Sequence, residues 1–244
     1  MSERPKIRLF VDHPLEEGER VALSRDQANY LFNVMRLREG AEVALFNGAD
    51  GEWRAEVAEA GKRGGVLACV AATVAQANPP DLWLLFAPIK KARTDFIVEK
   101  AVEMGVSRIV PVQTEFTNSE RIRQDRLQAH AVEAAEQCGA VSVPEVTELQ
   151  PLAKVLDGWD ARKLVFADEG AAGQSPSLSD VFAEAPPPAA ILIGPEGGFS
   201  EVERTRLRGM EQVIPVPLGP RILRADTAAV AALTLWQAAA GDWG

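Results

Sequence analysis

The sequence predicts an α/β fold in which a small β-barrel precedes a larger domain built on a parallel sheet. Residues 1–75 hold five short strand-like segments and one helical pattern, whereas continuous apolar runs alternate with helical patterns from residue 82 onward. The segment 77–81 between them is Ala-Asn-Pro-Pro-Asp, and consecutive prolines interrupt both helices and sheets. We therefore predict two domains, 1–75 and 76–244, that meet near this segment.

The strands of the first domain are predicted from short or alternating apolar runs. These runs lie at residues 7–11, 20–23, 42–46, 53–57 and 66–70. An Asn-Gly pair at 47–48 is typical of a hairpin turn. Ser24 is suited to cap a helix whose apolar positions are Ala28, Leu31, Phe32 and Met35. Five strands and a helix in so short a stretch predict the barrel.

The second domain alternates buried strands with helices. Its apolar runs lie at residues 82–87, 109–112, 164–167, 189–193 and 213–216, and its helical patterns near 95–104, 125–138, 178–184, 201–209 and 227–240. Such alternation is typical of a parallel sheet that is covered on both faces. Ligands of these sheets bind at the carboxyl ends of the strands.

Composition narrows the class of protein. The chain has 244 residues, of which 47% are hydrophobic and 25% charged, as in ordinary globular proteins. Its two cysteines cannot form a disulfide framework, and no apolar leader follows Met1. The most apolar stretch, 228–240, is too short to cross a bilayer. We expect a cytoplasmic protein with no membrane partner.

The net charge of −9, taken alone, argues against a nucleic-acid binder, because such domains are usually basic. The acidity is uneven, however: residues 1–75 carry a net charge of −2 and residues 76–244 a net charge of −7. The net charge therefore does not exclude a basic face on part of the protein surface.

Two segments carry candidate chemistry. Gly-Pro-Glu-Gly-Gly at 194–198 follows a buried strand and precedes Ser200, which is suited to cap a helix. Its glycines allow a ligand to approach the backbone closely, but the same residues suit a tight strand-to-helix turn that binds nothing. The segment lacks the dinucleotide and P-loop patterns, which excludes those two readings.

The second segment is Leu-Gly-Pro-Arg-Ile-Leu-Arg at 218–224, which also follows a buried strand and opens a helix. Asp226 or Thr227 could simply cap that helix. Arg221 and Arg224 lie at the carboxyl edge of the predicted sheet, where an arginine suits a planar anion or an oxygen that gains negative charge.

Both segments, in this order, resemble the RsmE family of ribosomal RNA methyltransferases, within the SPOUT class. Three further blocks, at 30–36, 96–106 and 134–146, are similar to the same family, so the resemblance extends from about residue 7 to the C-terminus. It implies a PUA-like RNA-binding barrel at 1–75 and, at 76–244, a SPOUT domain threaded into a deep trefoil knot. It also implies a homodimer that uses S-adenosylmethionine to methylate N3 of one uridine of 16S ribosomal RNA, within the assembled small ribosomal subunit. No metal is expected.

The two segments, the basic residues and the chemistry of this reaction together suggest three sets of site residues. The S-adenosylmethionine site would comprise Phe166, Ala167, Gly194, Pro195, Glu196, Gly197, Gly198, Leu218, Gly219, Ile222 and Leu223. The RNA contacts would come from Arg8, Arg25, Arg36, Lys90, Lys91, Arg93, Arg121 and Arg123. For catalysis, Arg224 would stabilise the uracil anion while Asp226 holds its guanidinium, although Arg224 could instead bind phosphate or the cofactor carboxylate.

Two other functions stay open at this point. A SPOUT enzyme could act on transfer RNA or on a ribose 2′-oxygen, and a non-catalytic ribosome-assembly factor could keep the same fold. No side chain stands out as the acceptor of the uridine N3 proton, although Glu196 could serve.

Overall fold

The computed structural model describes residues 5–61, 64–118, 122–171 and 177–243. The chain forms two compact units. The first comprises the described residues up to Asn78 together with Ala135–Val143, and the second comprises Pro79–Ala134 and the described residues from Pro144 onward. The segment Ala135–Val143 thus packs with the first unit, although the predicted division places it in the second domain.

The first unit is built on a five-stranded sheet. Its strands are β1 (Arg8–Phe10), β2 (Arg20–Ala22), β3 (Glu42–Phe46), β4 (Glu52–Ala60) and β5 (Gly65–Val74), in the order β1-β3-β4-β5-β2. The pair β1 and β3 is parallel, and the other neighbours are antiparallel. All five predicted strand segments are strands, and each structural strand overlaps its predicted run.

The helix of this unit begins where the sequence predicts. Ser24 accepts a hydrogen bond from the amide of Gln27, whose side chain accepts one from the amide of Ser24, a reciprocal cap for α1 (Arg25–Ala28). The backbone then continues as a π-helix over Asn29–Val34, so Leu31 and Phe32 are buried whereas Met35 is 41% exposed. The prediction that Met35 belongs to the buried face is wrong.

Arg8 is an internal residue of the first unit. Its guanidinium donates to a carboxylate oxygen of Glu52 at 2.7 Å and to the carbonyl oxygens of Glu136 and Ala140 at 3.0 and 2.7 Å. Only 8% of its side chain is exposed, and Glu52 is fully buried. The prediction that Arg8 contacts RNA is therefore wrong: its donors bind the segment Ala135–Val143 to this unit.

The second unit contains a seven-stranded parallel sheet. Its strands are β6 (Leu82–Phe86), β7 (Arg108–Gln113), β8 (Glu145–Val146), β9 (Gln150–Pro151), β10 (Lys163–Ala167), β11 (Ala189–Ile193) and β12 (Val213–Val216). The order is β12-β10-β11-β6-β7-β8, and β9 also pairs with β7. Its helices are α2 (Lys91–Glu103), α3 (Gln124–Cys138), α4 (Leu152–Asp157), α5 (Leu178–Ala183), α6 (Glu201–Arg208) and α7 (Ala225–Ala240). The last residues of α3 lie in the first unit.

The order of three strands decides where the loops meet. β12 follows β11 in sequence but pairs with β10 on the side opposite β11. The loops after β10, β11 and β12 therefore leave the sheet side by side at its carboxyl edge. Among the described residues, no helix is long and apolar enough to span a membrane, and no group of three potential metal ligands comes together.

Arg162 joins three strands at the opposite edge of the sheet. Just before β10, it forms two 2.9 Å hydrogen bonds with the carboxylate of Asp81, which precedes β6, and a 3.2 Å bond with the carbonyl of Ala189 in β11. Its guanidinium lies 3.9 Å from the ring centroid of Trp83. Only 6% of the Arg162 side chain is exposed, whereas its partner Asp81 is 51% exposed, so the guanidinium is buried and the carboxylate faces water on one side.

Replacing Arg162 with methionine should destabilise the fold. Arg162→Met keeps a long apolar stem but leaves the Ala189 carbonyl without this donor, so we expect the free energy of unfolding to fall by about 1.5–3 kcal/mol. Arg206→Met is the matched control, because Arg206 and Asp157 form an ion pair in which the side chains are 36% and 72% exposed. The control should lose less than about 1 kcal/mol. Urea unfolding of both variants measures the difference; equal losses would contradict a special role for Arg162.

The same pair predicts a pH dependence. The hydrogen bonds from Arg162 are the main reason that the pKa of Asp81 lies below its usual value. Because the pKa is lowered in the folded state, the pair stabilises the fold above the unfolded pKa and ceases to do so as the pH falls through the folded pKa. The stability gap between the wild type and Arg162→Met should therefore be constant above about pH 5 and shrink below about pH 4. A gap that is constant throughout acid titration would contradict the assignment.

Candidate functional site

A pocket of about 280 Å³ lies where the loops after β10, β11 and β12 meet. Its walls share an origin at the carboxyl ends of these adjacent strands and at the start of α7. They are formed by Ala167, Asp168, Glu169, Ile193, Gly194, Pro195, Gly198, Phe199, Arg204, Leu218, Gly219, Pro220, Arg221, Ile222, Leu223, Ala225 and Ala228. The fold thus forms a mixed apolar and polar pocket where ligands of parallel sheets bind.

Two glycines shape the wall after β11. A Cβ atom at Gly194 would lie 2.6 Å from a ring carbon of Phe199, so only glycine lets the backbone pass this ring. Gly198 has a φ of 69°, a conformation that side chains disfavour, and its amide donates to the Pro195 carbonyl at 2.9 Å. The loop therefore presents backbone to the pocket.

Acidic residues of the pocket wall are paired with arginines of α6. Asp168 is buried and accepts a 3.0 Å hydrogen bond from Nε of Arg208, and Glu169 accepts a 3.3 Å bond from Arg204. Nε of Arg204 is buried without a hydrogen-bond partner among the described residues. These pairs connect the loop after β10 to the helix that follows the loop after β11.

Eight of the eleven residues predicted for the cofactor site line this pocket, and three do not. Phe166 is fully buried in β10, with its ring edge-to-face against Phe199 at 4.9 Å between centroids, so it supports the wall from behind. Gly197 lies against another loop: a Cβ there would come 3.2 Å from Cβ of Phe116. Glu196 lines a neighbouring pocket. These three residues lie behind or beside the pocket, and their contact with a cofactor stays a prediction.

Asp168 and Glu169 belong to the loop after Ala167, which the sequence predicts as part of this pocket because it directly follows a buried strand, and both residues line it. Sequence reasoning missed other lining residues. Phe199 and Arg204 carry no such signal, since their side chains reach the pocket only because α6 packs beside it.

Asp226 has a different partner from the predicted one. Its carboxylate accepts a 2.8 Å hydrogen bond from Arg93 of α2, and the prediction that it holds the guanidinium of Arg224 is wrong. Arg224 itself is exposed at the start of α7 and forms no ion pair with the described residues. Its guanidinium is therefore available to a ligand.

The residues predicted to contact RNA differ in how available they are. Arg25, Arg36, Lys90 and Lys91 are exposed. Arg93 is occupied by Asp226, and Arg123 pairs with Asp125 although 75% of its side chain is exposed. Arg121 lies outside the described residues. Arg36 also has a φ of 58°, which is costly for a residue with a side chain.

Comparisons with known proteins agree with this geometry. The family described as RNA methyltransferase domain matches residues 76–237, and the RNA methyltransferase PUA domain matches residues 23–67. Ribosomal RNA small subunit methyltransferase E of Synechocystis is 30% identical over 87% of this chain and 71% of that protein. Its counterpart from Rickettsia conorii is 26% identical over 93% of each chain.

A solved structure extends the likeness to three dimensions. Ribosomal RNA small subunit methyltransferase E from Neisseria gonorrhoeae, bound to S-adenosyl methionine, is 26% identical, covers 98% of this chain and 99% of its own, and superposes with a TM-score of 0.81. The RNA methyltransferase domain alone matches more than half of this chain. The chain therefore belongs to the RsmE family, the ribosomal RNA small subunit methyltransferases E.

Proposed function

We propose that the protein binds S-adenosylmethionine and methylates N3 of a uridine of 16S ribosomal RNA, acting as a cytoplasmic homodimer on the assembled small subunit. The observation that carries the proposal is the pocket formed by the loops after β10, β11 and β12, within the part of the chain that matches the RNA methyltransferase domain. The trefoil knot belongs to the same proposal. Its support is that β12 follows β11 in the sequence but lies on the side of β10 opposite β11.

The residues of the pocket suit this cofactor. Gly194 and Gly198 open the wall to close backbone approach, and Leu218, Ile222 and Leu223 offer apolar surface to a purine ring. Arg221, which is exposed and forms no ion pair with the described residues, could hold a carboxylate. When bound, the cofactor supplies an activated methyl group.

Arg224 is our candidate for stabilising the substrate. When the imide at N3 of uridine loses its proton, the negative charge spreads onto the two ring carbonyl oxygens, which an arginine can bind. Arg224 is exposed and has no ion-pair partner among the described residues, so no internal contact has to be broken. Asp226 acts indirectly, since it holds Arg93 of α2 at the start of α7.

The first unit would supply affinity for RNA through Arg25 and Arg36. Both side chains are exposed, and the positive φ of Arg36 ends the π-helix, where the amide of Leu37 donates to the carbonyl of Leu31 at 2.9 Å. Contacts from the second unit would come from Lys90, Lys91 and Arg123. With a net charge of −9, the protein would depend on these few local contacts and on the shape of the RNA.

The reaction is tested directly with purified components. Small subunits that lack the methyl group, the protein and isotopically labelled S-adenosylmethionine should yield 3-methyluridine, identified by mass spectrometry after digestion of the RNA. Transfer RNA and free 16S RNA serve as competing substrates. Label on transfer RNA or on ribose would show that the protein is a SPOUT enzyme with another target. If the protein neither bound S-adenosylmethionine nor transferred its methyl group, the assembly-factor hypothesis would be favoured.

Cofactor binding should depend on Ile222, which lines the pocket but is 83% exposed. Ile222→Asn removes apolar surface without touching the core, so we expect S-adenosylmethionine to bind about 10- to 100-fold more weakly. Val202→Asn is the matched control, because Val202 is 77% exposed and does not line the pocket. Isothermal titration measures both variants. Wild-type affinity in a folded Ile222→Asn protein would place the cofactor elsewhere.

Turnover should depend on Arg224. One donor aimed at a developing negative charge typically accelerates a reaction by ~10²–10³, so Arg224→Ala should lose about that factor while it keeps cofactor affinity. Lysine at this position should recover only part of the rate, because it lacks the planar fork. Arg206→Ala, which removes a half-exposed arginine paired with Asp157, is the control. Single-turnover methylation at saturating small subunits distinguishes a catalytic role of Arg224 from a binding role. A near-normal rate of the Arg224→Ala protein under these conditions would mean that Arg224 only binds phosphate.

A further inference from the structure

A second pocket of about 220 Å³ adjoins the first. Pro195 belongs to the walls of both, so the occupants of the two pockets would lie side by side. Its other walls include Lys90, Lys91, Phe116, Asn118 and Glu196. An aromatic ring, two cations and a carboxylate thus meet next to the proposed cofactor site.

Phe116 is placed where a stacking platform would be useful. Its side chain is 43% exposed on the loop after β7. A Cβ atom added at Gly197 would lie only 3.2 Å from Cβ of Phe116. The glycine at 197 therefore lets the loop after β11 lie against Phe116. An exposed aromatic ring costs apolar hydration unless a ligand covers it.

Both loops of this pocket are fixed by internal hydrogen bonds. The amide of Thr114 donates to Oγ1 of Thr117 at 2.9 Å, and both side chains are buried. Glu203 joins the loops: one carboxylate oxygen accepts from the amide of Glu115 and the other from the amide of Ser200, each at 2.9 Å. The platform is therefore held in place before any ligand binds.

The charged groups of this pocket are available. Lys90 and Lys91 are exposed and form no ion pair with described residues, as is also true of Glu196. The two lysines lie at the start of α2, where the helix dipole disfavours positive charge, so they do not serve the stability of that helix. Thr94 fixes the preceding backbone through 3.0 Å bonds with the amide and carbonyl of Ile89.

We propose that this second pocket receives the flipped uracil base of the RNA substrate, an inference that rests on the proposed function. Phe116 would stack on the base, and Lys90 and Lys91 would bind the neighbouring phosphates. Glu196 would accept the imide N–H of uracil. Cytosine has an acceptor at the same ring position, so a carboxylate there favours uracil over cytosine. A base that reacts at its pairing edge must leave the stack, which is why a separate pocket is needed.

Glu196 would then be the proton acceptor of the reaction. The imide proton passes to its carboxylate, and the electron pair left on N3 forms the new bond to the methyl carbon. The electron pair of the broken methyl–sulfur bond stays on sulfur, and the proton on Glu196 is later lost to solvent. The reaction balances without an additional co-reactant.

The aromatic platform is tested with Phe116→Ala, Phe116→Tyr and the control Phe96→Ala, since Phe96 is 39% exposed on α2 and does not line the pocket. We expect Phe116→Ala to lower kcat/KM for small subunits about 5- to 150-fold, the value of stacking one base, and tyrosine to restore it. Phe96→Ala should resemble the wild type. S-adenosylmethionine affinity, measured by titration without RNA, should not change.

Three results would overturn the base pocket. One is a Phe116→Ala protein with wild-type kcat/KM, and another is a loss fully explained by weaker cofactor binding. The third is a change of oligomeric state in sedimentation, which would make Phe116 a contact between two copies of the chain. If the wild type itself methylates no small subunits, the proposed function fails instead, so the two failures are distinguishable.

The phosphate contacts are tested by RNA binding without the cofactor. Lys90→Gln and Lys91→Gln should each weaken binding to small subunits and reduce the slope of log affinity against log salt by about 1. Lys163→Gln, at the start of β10 outside both pockets, is the control and should leave the slope unchanged. Unchanged slopes for both pocket lysines would overturn their assignment.

Glu196→Gln tests the proton acceptor. The amide oxygen can still accept a hydrogen bond from the imide but cannot take its proton, so kcat should fall at least 10-fold while KM changes less than 3-fold, about 1.4 and 0.7 kcal/mol respectively. The variant should also become faster with rising pH, because the imide must then lose its proton to solvent, whereas the wild type should respond less over the same range. A Glu196→Gln protein with the wild-type pH profile and kcat would overturn the role of Glu196.

Discussion

The parallel pairing of β10 with both β11 and β12 is the constraint on which the candidate site depends. Because all three strands run in one direction, the loops that follow them lie at one edge of the sheet. At the opposite edge, Arg162 binds the residues that precede or open β6 and β11. One edge therefore holds a buried cation, and the other carries the loops that form the pocket.

Charge is distributed so that an acidic chain can still present cations locally. The carboxylates around the first pocket are each paired: Asp168 with Arg208, Glu169 with Arg204 and Asp226 with Arg93. Each pair places a positive charge beside a carboxylate, which weakens the negative field that would oppose an RNA phosphate. Lys90, Lys91 and Arg224 keep their charge without such partners among the described residues. The net charge of −9 is thus a poor guide to this face.

The sequence predicts strands well where burial is continuous and poorly where an element is short. The bounds of β11 and β12 are predicted to the residue, because their runs are fully apolar or flanked by turn residues. The two-residue strands β8 and β9 carry no periodicity, and α4 has only six residues, so none was predicted. Likewise, the buried role of Arg8 depends on Glu52, Glu136 and Ala140, which lie 44 to 132 residues away, and no local pattern reports such partners.

The motif at residues 194–198 locates the site, but it does not show which of its residues line which pocket. Position 194 needs glycine because of the Phe199 ring and 198 favours it because of its positive φ, whereas a Cβ at 197 would only be tight against Phe116, so one motif satisfies two separate steric demands. The first and last of these positions line the cofactor pocket, whereas Glu196 lines the second pocket. A loop that forms the walls of both pockets fixes the distance between their occupants. In a transfer between two bound molecules, that distance is what the protein must control.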